Sequence, residues 1–369
     1  MNRLFPEIKK NFGFGCMRLP MIGDGADAVV DNAEFSRMID TFIEAGFNYF
    51  DTAHNYLGGK SERALRDCLT SRYPRDAYVL TNKLSPSFFE KNEDILPLFE
   101  SQQQACGVDY FDFYLMHSQN RQLFAKYQAC RAYETAFALR DAGKVRHVGI
   151  SFHDSAEMLD EILTAYPALE VVQLQFNYLD YEDAAVQSRL CYEVCRKHGK
   201  PVIVMEPVKG GTLVNNLPAE AKEILDALKS GSYASYAIRF AASFEDICMV
   251  LSGMGNMEMM NDNISYMKDF VPLTDGERAA VDRVAQILRA EKKIPCTACS
   301  YCTEECPQQI PIPQIFACLN SKNKFYYRVH TANKKKASDC LACGKCEYIC
   351  PQRLPIRDLL KEAAETLEA

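Results

Sequence analysis

Four polar side chains stand at or just beyond the ends of predicted strands, where they could act together. Asp51 ends an apolar run and Tyr56 lies in the loop beyond it, while Lys83 and His117 end the next two strand patterns. A free tyrosine has a pKa of about 10, and a lysine ammonium held by an aspartate lowers it by favouring the phenolate. A nearby histidine can orient a reacting oxygen. These residue types predict proton transfer at a tyrosine hydroxyl.

Eight of the sixteen cysteines form two runs of identical spacing near the C-terminus. The runs are Cys296-x2-Cys299-x2-Cys302-x3-Cys306 and Cys340-x2-Cys343-x2-Cys346-x3-Cys350, each followed by a proline. This is the spacing of the bacterial ferredoxin run, in which the fourth cysteine of each run ligates the other of two clusters. We therefore predict two 4Fe–4S clusters, one held by Cys296, Cys299, Cys302 and Cys350, the other by Cys340, Cys343, Cys346 and Cys306. Zinc is the alternative, because thiolate quartets also bind it.

The composition narrows the class of protein. The chain has 369 residues, of which 48% are hydrophobic and 25% charged, as is usual for a soluble globular protein of up to two domains. Its net charge of −7 argues against nucleic acid as the main partner. No apolar run reaches the roughly 18 residues of a membrane helix, and the first residues lack an apolar signal core. A cytoplasmic protein without a membrane span is predicted.

Short apolar runs alternate with helical patterns and would position the four polar side chains. The strand-like runs lie at 12–17, 48–53, 78–83, 111–117, 145–151, 171–177, 201–206 and 247–252. Between them, segments such as 34–43 have apolar residues at helical spacing. Eight such units predict a (β/α)8 TIM barrel, in which the carboxyl ends of neighbouring strands meet at one rim. A doubly wound open sheet is the alternative, although no Gly-x-Gly-x-x-Gly turn follows the first strand.

The alternation ends near residue 270, where the composition changes. Thr274 and Glu277 resemble a capping box that opens a helix to about Glu291. We place a barrel at 1–272, and a linker helix with the cluster domain at 273–369. The segments 313–320 and 359–367 have helical patterns, which predicts a small, mainly α-helical ferredoxin-like domain. The three lysines at 334–336 are interpreted as a solvated loop, or as charges that guide docking near the anionic clusters.

The motif around Tyr56 resembles that of the aldo-keto reductase superfamily, whose fold is a (β/α)8 barrel. The residues that carry the resemblance are Asp51-Thr52-Ala53, Tyr56, Ser61-Glu62, Lys83 and His117, and the resemblance covers roughly residues 10–270. It implies that Tyr56 gives a proton to a carbonyl oxygen while a nicotinamide gives hydride to its carbon. Lys83 and Asp51 would tune Tyr56, and His117 would position the substrate. The whole chain resembles such a barrel with a ferredoxin-like extension.

The same resemblance implies a nicotinamide pocket. Ser151 and Gln173 match residues that bind the carboxamide, although Phe152 replaces the family's asparagine. Met205 stands where a tyrosine often stacks on the ring, and Asn263 matches an adenine contact.

The phosphate end of that pocket is predicted at the Gly-rich turn containing Ser252 and Gly253, which opens a helix whose backbone N–H groups suit a phosphate. Lys209 is predicted as a second phosphate contact. Relatives that use NADP usually carry Lys and Arg near this turn, whereas this chain has Gly253 and Met259. NADH is therefore favoured over NADPH, and a flavin is the alternative.

These parts support three hypotheses for function. A nicotinamide carries two electrons as hydride, whereas each cluster passes one at a time. The leading hypothesis is an oxidoreductase that reduces, or oxidises, a small carbonyl or related unsaturated compound, with clusters that feed or stabilise the site. The second is a reductase that takes electrons from a ferredoxin-like carrier and holds a flavin or other redox ligand in the barrel. The third is a non-catalytic binding subunit.

Overall fold

The computed structural model, which describes residues 5–23, 27–291 and 293–368, contains the predicted parallel barrel. The strands are β1 (Phe12–Gly15), β2 (Met21–Ile22), β3 (Val29–Val30), β4 (Tyr49–Asp51), β5 (Val79–Leu84), β6 (Phe111–Gln119), β7 (Val145–Phe152), β8 (Val171–Gln175), β9 (Val202–Met205) and β10 (Ile247–Ser252). Strands β2 and β3 form a separate antiparallel pair. The other eight pair in chain order, and β10 returns to β1, so the barrel is closed and the open-sheet alternative is wrong.

Helices lie between successive barrel strands and make up most of the C-terminal region. They are α1 (Asn32–Glu44), α2 (Lys60–Leu65), α3 (Ile95–Cys106), α4 (Arg121–Ala129), α5 (Ala132–Asp141), α6 (Ala156–Ala165), α7 (Ser188–Lys197), α8 (Thr212–Asn215), α9 (Ala219–Asp226), α10 (Tyr233–Ala242), α11 (Met257–Met267), α12 (Asp275–Ala290), α13 (Tyr301–Glu304), α14 (Ile312–Ser321), α15 (Lys324–Thr331), α16 (Lys345–Ile349) and α17 (Ile356–Leu367). Across the described ranges, no helix combines the length and the apolar character needed to cross a membrane.

Helix α1 illustrates how the sequence determines these elements. Asp31 caps its first turn by accepting hydrogen bonds from the backbone N–H groups of Ala33 and Glu34, at 3.1 and 3.0 Å. Its inner face is apolar at helical spacing and fully buried, and consists of Phe35, Met38, Ile39 and Phe42. Each such side chain stabilises the fold by about 1.5–3 kcal/mol on burial, which fixes the face that α1 turns to the barrel.

Strands β4, β5 and β6 are neighbours in the barrel, and their register brings the predicted catalytic residues to one rim. Asp51 pairs with Thr81 on β5, and Lys83 pairs with Leu115 on β6. His117 lies two residues beyond Leu115 on the same strand. All three side chains therefore lie toward the carboxyl ends of adjacent strands, where barrel enzymes collect their catalytic groups.

Helix α12 begins at the predicted capping box, in which Thr274 and Glu277 bond each other's backbone N–H groups. Its buried residues Val281, Val284 and Leu288 belong to the apolar core of the barrel. The linker helix therefore packs as part of the barrel layer, while the division of the chain at 272/273 stays a prediction.

The C-terminal region has an apolar core of its own. Helices α14 and α17 supply its centre, which includes Ile312, Ile315, Phe316 and Leu360. The two segments predicted to be helical, 313–320 and 359–367, lie inside these helices. A mainly α-helical region after the barrel is thus confirmed.

This region lies over the mouth of the barrel. Arg18, in the loop after β1, donates from Nη2 to the carbonyl oxygen of Thr297 at 3.0 Å. Ser87, after β5, donates from its hydroxyl to Glu305 at 2.8 Å. Because both loops follow the carboxyl ends of their strands, the C-terminal region covers the rim that holds Asp51, Lys83 and His117.

Candidate active site and cluster cages

Lys83 is the centre of a buried hydrogen-bond network at the rim. Its Nζ donates to Asp51 Oδ1 at 2.6 Å, to the backbone oxygen of Thr52 at 2.8 Å and to the Tyr56 hydroxyl at 3.2 Å. Lys83 is fully buried, and Asp51 and Tyr56 are 3% and 9% exposed. The structure thus brings three of the four predicted catalytic residues into direct contact.

Ser61 and Glu62 hold the loop that carries Tyr56. The hydroxyl groups of Ser61 and Thr52 share a hydrogen bond of 2.8 Å. A Glu62 carboxylate oxygen lies 2.8 Å from the His54 ring nitrogen Nδ1. Both residues are buried and contact the segment that leads to Tyr56, so this part of the motif supports the loop.

His117 reaches the same site from β6. Its Nδ1 lies 2.9 Å from the Ser85 hydroxyl, and its ring centroid lies 6.0 Å from that of Tyr56. Burial, assisted by the charge of Lys83, lowers the pKa of His117 well below its ordinary value. The imidazole is therefore neutral and carries one N–H, which it can present to an oxygen atom.

Burial is also the largest cause of the pKa shifts of the three hydrogen-bonded residues Tyr56, Lys83 and Asp51. It raises the pKa of Tyr56 well above the ordinary value, and the charge of Asp51 adds to this. The pKa of Tyr56 is thus shifted upward, whereas Lys83 alone was expected to lower it. Burial lowers the pKa of Lys83 and raises that of Asp51, while their ion pair opposes both shifts. Tyr56 keeps its proton at neutral pH, which suits an acid.

Tyr301, from the cluster region, also belongs to this site, and the sequence analysis missed it. Its side chain packs with Tyr56 in a small buried cluster, and it lowers the pKa of Tyr56 against the effect of burial. Its ring meets that of His117 edge-on, with centroids 6.3 Å apart and an interplanar angle of 88°. The sole signal in the sequence is its place between Cys299 and Cys302, which does not point to the barrel.

A cavity of about 870 Å³ extends from Tyr56 along the barrel mouth. Six of the seven predicted cofactor-binding residues line it, namely Ser151, Gln173, Met205, Ser252, Gly253 and Asn263. Gln173 donates from Nε2 to Asp51 Oδ2 at 3.1 Å, which adds it to the buried network. Asn263 donates from Nδ2 to the Ser252 hydroxyl at 2.8 Å. The cavity lining therefore joins the predicted cofactor residues to Tyr56.

Lys209 is the exception, and its position does not fit the predicted phosphate contact. Its Nζ is buried between Asp180 Oδ1 at 2.5 Å and Gln352 Oε1 at 2.6 Å. It is not among the described residues that line the cavity. A buried ammonium requires such partners, and here the carboxylate and the amide hold it away from the mouth. Lys209 instead ties the loop after β9 to the cluster region.

Two carboxylates that the sequence analysis did not single out line the far end of the cavity. Glu258 and Asp262 lie on α11, the helix that follows the Gly-rich turn. Asp262 Oδ2 accepts a hydrogen bond of 2.8 Å from the Ser232 hydroxyl. Among the described residues that line the cavity, Arg18 is the one lysine or arginine. The part of the lining that α11 supplies therefore carries negative charge.

The eight cysteines surround two separate cavities, here named the proximal and distal cages. The proximal cage is lined by Cys296, Cys299, Cys302 and Cys350, and the distal cage by Cys306, Cys340, Cys343 and Cys346. Each cage thus takes three cysteines from one run and the fourth from the other, as in two-cluster ferredoxins. In the described ranges, no three His, Cys, Asp or Glu side chains converge on the position of a single metal ion. Four thiols around a common space fit a 4Fe–4S cluster better than one zinc ion.

The proximal cage adjoins the barrel cavity. Cys299 and Pro351 line both spaces, and Tyr301 follows Cys299 by two residues. In the distal cage, by contrast, Cys343 is exposed at the surface. The proximal cage therefore lies beside the barrel cavity, and the distal cage reaches the surface at Cys343.

Comparison with known proteins agrees with this architecture. The profile described as "Aldo/keto reductase family" matches residues 11–286. The chain belongs to this family. A second profile, described as "4Fe-4S dicluster domain", matches residues 295–354 of this aldo/keto reductase and favours clusters over the zinc alternative.

The curated relatives of this aldo/keto reductase include reductases and a dehydrogenase. The NADH-specific methylglyoxal reductase of Escherichia coli K12 is 25% identical over 305 residues, which cover 70% of this chain and 90% of that protein. The L-galactose dehydrogenase of Arabidopsis thaliana is 24% identical over 306 residues, covering 76% and 91%. The 9,11-endoperoxide prostaglandin H2 reductase of Trypanosoma cruzi is 26% identical over 198 residues, which are 53% of this chain and 64% of that protein. The match thus spans less than two thirds of the Trypanosoma enzyme.

Solved structures share the barrel of this aldo/keto reductase. An aldo-keto reductase from Klebsiella pneumoniae in complex with NADPH superposes with a TM-score of 0.61 at 18% identity, covering 74% of this chain and 90% of that chain. The holo form of an aldo-keto reductase from Bacillus halodurans gives 0.58 at 21% identity, covering 74% and 91%. At these identities the likeness shows the fold.

Proposed function

We propose that this aldo/keto reductase reduces a small carbonyl compound, or a related unsaturated one, with a nicotinamide as the hydride source. One observation carries the proposal: Lys83 Nζ contacts both Asp51 and Tyr56, at 2.6 and 3.2 Å, beside the cavity that Tyr56 lines. The same groups would serve the reverse oxidation, because proton transfer at Tyr56 can run in either direction.

Tyr56 is the proposed proton donor. A bound reduced nicotinamide would supply hydride to the carbonyl carbon. The Tyr56 hydroxyl would give its proton to the carbonyl oxygen, which leaves a phenolate. The Lys83 ammonium, 3.2 Å from that oxygen, stabilises the phenolate, and Asp51 keeps Lys83 charged and in place.

His117 and Tyr301 are proposed to position the reacting groups. The Ser85 hydroxyl can donate to His117 Nδ1, which leaves the Nε2–H of the neutral ring to donate to the carbonyl oxygen. The Tyr301 hydroxyl, which lowers the pKa of Tyr56, would give the phenolate a second hydrogen-bond donor besides Lys83. The proposed site therefore includes one residue from the cluster region.

We further propose that NADH is preferred over NADPH. The 2′-phosphate of NADPH would add negative charge near Glu258 and Asp262, where the cavity has no lysine or arginine on α11. In Rossmann folds a carboxylate bonds the ribose 2′-hydroxyl of NAD, and a carboxylate on α11 would do the same here. The name of the Escherichia coli relative also specifies NADH.

The test is a Tyr56→Phe variant, purified without oxygen and with full iron content. Removing a general acid is expected to lower turnover by about 10²- to 10⁴-fold on a panel of small aldehydes and ketones, with NADH more effective than NADPH. Tyr178→Phe is the matched control, since Tyr178 is also buried and its hydroxyl has no hydrogen-bond partner among the described residues. Normal turnover in Tyr56→Phe would contradict the proposed role, and an inactive wild-type protein would favour a non-catalytic binding subunit.

A second candidate function is favoured by the contact between the proximal cage and the cavity, which share Cys299 and Pro351. Clusters exchange single electrons, so a two-electron reaction in the barrel would need an adaptor such as a flavin. In this case the cavity would hold a flavin or another redox ligand. A small ferredoxin-like carrier would deliver electrons at the distal cage, where Cys343 is exposed.

An anaerobic absorbance spectrum separates the two candidates. Flavin bands in the purified protein, together with cluster bleaching by NADH, would support electron transfer between barrel and clusters. Turnover with NADH in a flavin-free protein whose cluster absorbance does not change would exclude the second candidate. The proposed location is the cytoplasm, because the eight cysteines outside the two cages form no disulfide in the described ranges, as in a reducing compartment.

A further inference from the structure

Two buried polar atoms in the proximal cage lack a partner. Thr297 Oγ1 and Gln352 Nε2 are inaccessible to solvent and form no hydrogen bond with any residue that the structure describes. The two residues are 3% and 5% exposed, and both line the cage together with its four cysteines. A buried donor without an acceptor costs about 1–3 kcal/mol, so an acceptor is expected within the cage.

The orientation of the Gln352 amide is determined by Lys209. Lys209 Nζ lies 2.6 Å from Gln352 Oε1 and 2.5 Å from Asp180 Oδ1. Because a lysine ammonium can only donate, the amide atom facing it must be the oxygen. The amide NH2 is therefore the end left for the cage.

Thr297 is also held by the barrel. Its carbonyl oxygen accepts a hydrogen bond of 3.0 Å from Arg18 Nη2. The loop after β9 packs directly on it, since a Cβ added to Gly210 would lie 2.5 Å from the same oxygen. Barrel residues thus position both unpaired donors.

We propose that Thr297 and Gln352 donate hydrogen bonds to sulfur atoms of the proximal 4Fe–4S cluster, and that the Lys209–Asp180 pair positions Gln352 to do so. Hydrogen bonds to cluster sulfur and nearby positive charge stabilise the more negative, reduced state, and so raise the reduction potential. The barrel thereby sets the potential of the cluster that adjoins its own cavity. After the first run, Gln308 follows Cys306-Pro307 as Gln352 follows Cys350-Pro351, and it lines the distal cage, which provides an internal control.

The test is a redox titration of the full-length protein, followed by electron paramagnetic resonance, with iron and sulfide measured in each sample. Gln352→Leu and Thr297→Val are expected to lower the midpoint of the same one of the two clusters. For each of these two variants, we expect the reduction equilibrium to shift about tenfold toward the oxidised state. For a one-electron couple, this shift is a decrease of about 59 mV in the midpoint potential. Gln308→Leu should leave that cluster at its wild-type midpoint.

Lys209→Met tests the positioning role. It should lower the same midpoint, because it removes a positive charge and releases the amide. Adding Gln352→Leu to Lys209→Met should then have a smaller effect than Gln352→Leu alone, since the amide is no longer held in place.

Wild-type midpoints in both Gln352→Leu and Thr297→Val, with full iron content, would overturn the proposal and leave the two residues a purely structural role. If Gln352→Leu loses its iron, Thr297→Val decides, because it removes one hydroxyl with little change in volume.

Discussion

At the scale of single residues, variants of the buried Asp51–Lys83 pair can distinguish an effect on stability from an effect on catalysis. Lys83→Met leaves the Asp51 carboxylate buried, and among the described residues only Gln173 is then a side-chain donor to it. Removing one partner of a buried ion pair typically costs about 3–5 kcal/mol, so the free energy of unfolding is expected to fall by that order, together with turnover. Denaturant unfolding and a carbonyl-reduction assay measure the two effects.

The double variant Asp51→Asn/Lys83→Met is the control for this prediction. It leaves no unpaired charge, so we expect it to regain much of the stability. Turnover should remain low, because the Tyr56 phenolate would still lack its cation. If Lys83→Met were as stable as the wild type, the pair would not have the buried, mutually dependent character that the structure gives it.

The contacts of two residues could not be predicted from the sequence. Lys209 follows a strand beside two glycines, as a phosphate ligand would, but its ammonium is held by Asp180 and Gln352. Tyr301 contacts Tyr56 only because the cluster region folds back over the barrel mouth. Neither contact leaves a local pattern, because both depend on packing between segments distant in sequence.

At the scale of elements, the sequence predicted most of what forms. All eight barrel strands lie within a residue or two of the predicted runs, since a strand buried on both faces is a continuous apolar segment bounded by polar turns. Helix α12 was predictable from its capping box, which is a local motif. The hairpin of β2 and β3 was not predicted, because two-residue strands show too little periodicity.

His147 on β7 gives a prediction for the pH dependence of stability. Its Nδ1 lies 2.7 Å from Glu170 and its Nε2 lies 2.7 Å from Glu7, in the segment before β1. Burial opposes protonation, but these two hydrogen bonds prevail and raise the pKa of His147 to about 9. The unfolded value is about 6.5, so this stabilisation is fully present below that pH and is lost as the pH rises through about 9.

Unfolding measured at pH 6, 8 and 10 should therefore show a decrease in stability on the order of 2 kcal/mol that depends on His147. His147→Gln is the matched variant, because its amide does not titrate. An equal decrease in both proteins would assign the pH dependence to other groups.

At the scale of the whole molecule, the cluster region forms part of the candidate active site. It contributes Cys299, Tyr301 and Pro351 to the lining of the barrel cavity. Tyr301 lies in the first turn of α13, between two cysteines of the proximal cage. A bound cluster would fix both ends of this short segment, and so would hold the Tyr301 hydroxyl against Tyr56.

This arrangement predicts that iron removal affects catalysis through Tyr301. In the cluster-replete protein, Tyr301→Phe should lower turnover up to about tenfold, which is the size expected for one hydrogen bond of about 0.5–1.5 kcal/mol. After anaerobic iron chelation, turnover of the unsubstituted protein should also fall, because the segment from Cys299 to Cys302 is no longer held. Tyr301→Phe should then have little further effect, since its contribution has already been lost.

The test compares the steady-state rates of four samples: the wild type and Tyr301→Phe, each with its clusters and after iron removal. Together they form a double-perturbation cycle, which measures whether the two effects are additive. Tyr348→Phe is the matched control, because Tyr348 also lies in the cluster region but is 37% exposed and outside the cavity lining. Equal effects of Tyr301→Phe in both states would mean that Tyr301 is positioned without the cluster. Full turnover in the depleted protein would mean that the barrel works independently of the region that covers it. The predicted non-additivity requires instead that the proximal cage and Tyr56 act as one unit, because the same short segment supplies Cys299 and Cys302 to the cage and Tyr301 to the site.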